Sequence, residues 1–89
     1  HDATFSAAER ERVELTGHST VVEAAEVAAD ADVSMLALVH VSSRHFIPDV
    51  LEEARAVFAG TVAPRDFDIV EIPLPERGGP RLLENGART

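Results

Sequence analysis

Met35-Leu36-Ala37-Leu38-Val39-His40-Val41 is an apolar run of strand length, broken only by a histidine near its C-terminal end. Such a run predicts a central strand in a sheet covered on both faces, because a strand with one wet face alternates apolar and polar residues. Upstream, Thr20 and Glu23 have the spacing of a capping box. Val21, Ala24, Ala25, Val27, Ala28 and Ala31 then lay small apolar side chains along the helix that follows. Downstream, Ser42, Ser43 and Arg44 form a loop, Pro48 opens another helix through Val50, Leu51, Ala54, Val57 and Phe58, and Gly60 stops it. This order of helix, strand and helix predicts an α/β layer arrangement.

Towards the N-terminus, Ser6 and Glu9 again have capping-box spacing, for a short helix running to Leu15 and broken by Gly17. Beyond Gly60, Thr61-Val62-Ala63 and Phe67 to Ile72 read as short strands separated by a turn at Pro64-Arg65-Asp66. The pattern decays at Pro73. With Gly78, Gly79, Pro80 and Gly86 among polar residues, 73–89 is expected to be a flexible tail and 1–72 the folded part. A central strand flanked by two helices needs more sheet than 89 residues supply. The missing sheet is expected from an N-terminal part of the same protein or from another chain.

Composition narrows the function classes. With no cysteine, disulfides and thiolate metal sites are excluded, and only oxygen and nitrogen ligands remain. The longest apolar run is far short of the ~20 residues that span a bilayer, and no basic leader precedes it, so a cytoplasmic protein without membrane contact is expected. The net charge is −8, and all eight basic residues are arginine. That balance argues against a general nucleic-acid binder, which needs clustered positive charge, and is read first as a solvated acidic surface.

Chemistry is sought at the histidines, since imidazole both ligates zinc and transfers protons near neutral pH. His40 ends the apolar strand, where a buried ring needs a hydrogen-bond partner or a metal; on residue type alone both remain open. His18 precedes the capped helix, with Ser19 and Thr20 placed to hold the helix start and a phosphate oxygen; a solvated loop histidine is the alternative. Asp2, in His1-Asp2-Ala3-Thr4, is either a turn residue or a carboxylate that orients a histidine. His1 and His45 are uninformative alone. The chain contains no His-x-His-x-Asp-His cluster, glycine-rich phosphate loop or nucleophile elbow.

Taken in order, His1-Asp2-Ala3-Thr4-Phe5, Gly17-His18-Ser19-Thr20 with its alanine-rich helix, Leu38-Val39-His40-Val41-Ser42-Ser43-Arg44 and Ala63-Pro64-Arg65-Asp66 resemble the last third of the ribonuclease Z family. The resemblance runs from His1 to about Ile72. It implies the C-terminal part of a metallo-β-lactamase αββα sandwich that uses paired zinc ions to trim the 3′ trailer from precursor transfer RNA. By position, it implies that His18 protonates the departing ribose oxygen, that Asp2 orients His18, and that His40 is the last metal-ligand histidine. The remaining ligands and the arm that grips transfer RNA are implied to lie in an N-terminal part of the protein, and the complete enzyme is expected to be a homodimer. Two positions depart from the family pattern: Asp2 replaces the commoner glutamate, shortening its reach by one methylene, and His45 stands where a tyrosine usually follows Ser-x-Arg. Arg44 is the candidate for a phosphate or RNA contact, with a surface ion pair as its alternative. A phosphodiesterase or other hydrolase acting on a small substrate in the same fold, and a non-catalytic interaction module, are the competing readings.

Overall fold

Thr20 begins the first long helix by two reciprocal bonds. Its hydroxyl accepts from Glu23 N at 3.1 Å, and Glu23 Oε1 accepts from Thr20 N at 2.9 Å. In the computed structural model, which describes residues 1–9, 11, 16–42 and 45–85, this helix, α1, spans Val21–Ala31. Asp32 closes it in the left-handed region at φ 54°, its N–H reaching the carbonyls of Ala28 and Ala29. Val21, Ala24, Ala25 and Ala28 form the buried stripe. Val27 and Ala31, which the sequence placed with them, are exposed, because at 100° per residue Val27 falls well away from that stripe. Replacing Thr20 by alanine removes the cap at a buried position, and unfolding by denaturant should show a loss of about 1 kcal/mol or slightly more.

The second helix, α2, spans Ile47–Arg55, one residue earlier than Pro48 suggested and ending before Val57. Val57 N and Phe58 N both turn back to Ala54 O, at 3.0 and 2.9 Å, which leaves Val57 exposed and starts the reversal into the next strand. Gly60 sits inside that reversal. A Cβ there would lie 3.0 Å from the Phe58 ring and 3.3 Å from Ser34 O, so the turn needs glycine for space. Val50 and Ala54 of α2 join the α1 stripe in a single core with Ala3, Leu36 and Leu38.

The sheet is built of short parallel segments. β1 (Leu36–Ala37) pairs with β2 (Thr61–Val62), with Leu36 opposite Thr61 and Ala37 opposite Val62. Leu38 N extends this pairing to Val62 O at 2.9 Å. On the other side of β1, Val39 N bonds His1 O at 2.9 Å and Ala3 N bonds Val39 O at 2.8 Å, making a parallel bridge between Asp2 and Val39. A second bridge joins Phe5 to Thr20. The lateral order is thus 19–20, 1–5, 36–39 and 61–62, with α1 and α2 as the crossovers.

The apolar run at 35–41 was expected to be a strand covered on both faces; the structure covers one. Leu36 and Leu38 are buried, whereas Val39 is 46% exposed and Ala37 half-buried. Successive side chains on a strand point to opposite faces, and both helices use the Leu36/Leu38 face. Among the described residues the other face of the sheet is only partly covered.

Residues 73–85 also differ from the expected tail. After the turn closed by Asp68 N to Arg65 O at 3.0 Å and Arg65 N to Asp68 Oδ2 at 2.9 Å, β3 (Ile69–Glu71) pairs antiparallel with β4 (Arg81–Leu83). A 3-10 turn at Pro75–Arg77 lies between them, and Arg81 donates from Nε to Glu71 Oε1 at 2.9 Å. A three-residue strand is too short to show periodicity, and its partner lies across a loop rich in proline and glycine, so the pairing left no local signal. The expected helix over Ser6 to Leu15 appears as a 3-10 turn at Ala7–Glu9, with Ser6 N donating to Glu9 Oε1 at 3.2 Å; its remainder runs mostly onto residues outside those described. The architecture is mixed α/β, as the sequence implied. Among the described residues no helix is long and apolar enough to cross a membrane.

Candidate functional site

Parallel pairing of residues 1–3 with 37–39 puts Asp2 beside Val39, so the carboxylate stands at the C-terminal end of β1, next to His40. The adjacent pairing of Phe5 with Thr20 brings the 18–20 segment to the other side of Asp2. Three chemistry-bearing residues separated by 16 and 38 positions thereby meet at one sheet edge. His18 Nδ1 and His40 Nδ1 each lie 3.1 Å from the same atom, Asp2 Oδ1. Strand C-terminal ends are where ligand sites gather in α/β folds.

Asp2 is the best anchored of the three. Ser19 N donates to its Oδ2 at 2.9 Å, and the Thr4 hydroxyl reaches Oδ1 at 3.2 Å and Oδ2 at 3.4 Å. Burial by itself would raise the carboxyl's proton affinity. The hydrogen bonds from the Ser19 backbone, the two imidazoles and the Thr4 backbone outweigh it, holding Asp2 well below the ordinary aspartate range. The site therefore contains a fixed negative charge at neutral pH.

The histidines are more open: their side chains are 45% exposed at His18 and 74% at His40, against 24% for Asp2. His18 is further held edge-to-face against the buried Phe5, the ring centroids 6.1 Å apart and the planes at 77°. His40 does not end a buried strand as the apolar run implied. It lies just past the paired residues with φ 57°, a left-handed conformation that turns it out of the sheet. It borders a cleft of about 380 Å³ with Leu38, Val39, Ala63, Pro64 and Asp66. Another cleft, of about 460 Å³, lies between α2 and the β3–β4 hairpin and contains none of the candidate residues.

The remaining candidates divide. The Ser19 backbone N–H points to Asp2 rather than outward. Thr20, offered by the sequence as a phosphate contact, is 2% exposed with its hydroxyl committed to the α1 cap, so its position suits the fold and not a substrate. Arg44 lies outside the described residues. His45, uninformative in sequence, packs its Nε2 2.8 Å from Glu9 Oε1, tying the loop after His40 to the N-terminal segment without a well-aligned hydrogen bond. Thr4 was missed as a site residue. Its only sequence signal was the i, i+2 spacing from Asp2, typical of any short polar turn.

Chemically, a carboxylate accepting from two imidazoles can orient both rings and leave their Nε2 atoms for other work. Among the described residues no group of three or more histidine, aspartate or glutamate side chains could hold a metal ion. An exposed imidazole engaged through Nδ1, as at His40, has the chemistry of one metal ligand at Nε2, and a whole metal centre needs further ligands beside it.

No protein-family model matches the chain. It is similar to the ribonuclease Z of Natronomonas pharaonis, 47% identical over 79 residues, which cover 85% of this chain and 26% of that protein. It is likewise similar to those of Haloferax volcanii, at 44% over 82 residues, and Enterococcus faecalis, at 39% over 82 residues, in each case covering 89% of this chain and 26% of the relative. The chain spans about a quarter of the length of these relatives.

Proposed function

We propose that this chain, which over most of its length is similar to about a quarter of the length of the ribonuclease Z proteins, is the C-terminal part of a zinc-dependent endonuclease removing 3′ trailers from precursor transfer RNA. The observation that carries this reading is the convergence of His18 and His40 on Asp2 at the C-terminal end of β1. A metallo-β-lactamase sandwich is the fold in which such a part would serve. The partly covered face of the 1–5, 36–39 and 61–62 segments supports it, since that face needs a second layer of sheet from the N-terminal part of the same protein. A homodimer working in the cytoplasm completes the proposal.

In this reading His40 offers Nε2 to zinc, with the other ligands supplied from outside the chain. Zinc, when bound, supplies an activated water and stabilises charge on the phosphoryl oxygens. The residues of this chain handle the other end of the reaction. As the bond from phosphorus to the ribose oxygen breaks, that oxygen needs a proton, and His18, ring-protonated and held through Nδ1 by Asp2, delivers it from Nε2. Asp2 keeps its negative charge throughout and stabilises the protonated ring.

The test is a cleavage assay on precursor transfer RNA with the full-length protein, with zinc content measured in parallel. Trailer release at the 3′ end, abolished by chelation and restored by zinc, is expected. The 89-residue chain alone should neither retain stoichiometric zinc nor cleave, because catalytic zinc typically takes about three protein ligands. Tight equimolar zinc on that chain, or efficient hydrolysis of small phosphodiesters without cleavage of the RNA by the full-length protein, would overturn the reading.

A further inference from the structure

One oxygen atom serves both histidines. Asp2 Oδ1 is 3.1 Å from His18 Nδ1 and 3.1 Å from His40 Nδ1, two rings that approach it from different segments of the sheet edge. At neutral pH a carboxylate only accepts hydrogen bonds, so both Nδ1 atoms must carry a proton. With Nδ1 engaged in each ring, Nε2 is the atom that each presents elsewhere. The acceptor is also more firmly held than its donors: Ser19 N grips Oδ2, the Thr4 hydroxyl reaches both oxygens, and the backbone at Asp2 is bridged to Val39. His40, whose side chain is 74% exposed and whose backbone has left the strand, has Asp2 as its one hydrogen-bonding side chain among the described residues.

We propose that Asp2 is a positioning residue shared by the two histidines, setting the tautomer and direction of His40 for metal ligation as well as those of His18 for proton transfer. The sequence resemblance assigned it to His18 alone, which would let metal binding and proton delivery be altered independently. The shared oxygen makes them separable at His18 and at His40 but coupled at Asp2. Loss of the hydrogen-bond partner of a ligating histidine typically weakens metal affinity by about 10- to 100-fold. This inference rests on the zinc endonuclease reading.

The experiment uses the full-length protein and four variants: Asp2→Asn, Asp2→Glu, His18→Ala and His40→Ala. Zinc affinity is read by competition with a chelating indicator, turnover is read on precursor transfer RNA, and the metal-free protein is examined by imidazole ¹⁵N NMR. Wild type should show Nδ1–H tautomers at both His18 and His40. Asp2→Asn should lose that pattern at His40, bind zinc about 10- to 100-fold more weakly and turn over more slowly. Asp2→Glu should recover most of the affinity, since a carboxylate is restored, whereas His18→Ala should leave zinc affinity at the wild-type level. Wild-type zinc affinity and an unaltered His40 tautomer in Asp2→Asn, with turnover reduced, would confine Asp2 to His18 and overturn the proposal while leaving the endonuclease reading intact. If His40→Ala itself retains wild-type zinc affinity, the metal assignment falls and the proposal with it. Should Asp2→Asn not fold, an Nε2–H tautomer at His40 in the wild type is the overturning result.

Discussion

His18→Ala in the full-length protein is expected to lower turnover on precursor transfer RNA by about 10²- to 10⁴-fold, the usual contribution of a positioned general acid, with zinc content unchanged. The geometry explains the separation. His18 is held by Asp2 at 3.1 Å and by the edge of Phe5, and removing its ring leaves Asp2 still bound by Ser19 N, the Thr4 hydroxyl and His40. A phosphodiester with a good leaving group needs no proton as its bond breaks, so its hydrolysis should be nearly indifferent to the change. The measurement is kcat on both substrates with elemental analysis of each preparation. Equal losses on the two substrates, or zinc lost together with the ring, would make His18 a structural or ligating residue and not an acid.

His40→Ala should behave in the opposite way, with zinc occupancy and activity falling together. Because it removes a ligand and not merely a ligand's support, the loss of affinity should exceed the roughly 10- to 100-fold cost of a missing supporting partner. Both substrates should suffer alike, since the activated water is common to them. The fold should survive, as the side chain is largely exposed. His40 sits at φ 57°, a conformation that alanine adopts with some strain and glycine without it. His40→Gly therefore separates loss of the ring from backbone strain, and the two variants should agree in zinc content. Full zinc content and normal turnover in both would return His40 to the status of a hydrogen-bonded histidine.

Sequence alone determined what depends on neighbours a few residues apart. The start of α1 was legible because the Thr20–Glu23 capping box is closed by bonds between residues three apart, and both bonds form. The start of α2 near Pro48, the reversal at Gly60 and a strand following it were legible for the same reason, since each is a local backbone constraint. The family resemblance carried by the ordered short motifs also singled out His18, Asp2 and His40, which the structure brings to one edge. Tertiary structure decided the rest. Which face of the 35–41 run is covered depends on both helices crossing on the same side, and the pairing of Arg81–Leu83 with Ile69–Glu71 depends on how a loop folds back; neither is written in local periodicity. Thr20 was chosen as a phosphate contact for its type and lost that role by burial, a property of the packed core. The meeting of His40 with Asp2 across 38 positions followed from the parallel register of Asp2 against Val39. That register is set by hydrogen bonds and packing across the whole sheet, so the family resemblance could name the participants but only the folded sheet could put one carboxylate oxygen between two imidazoles.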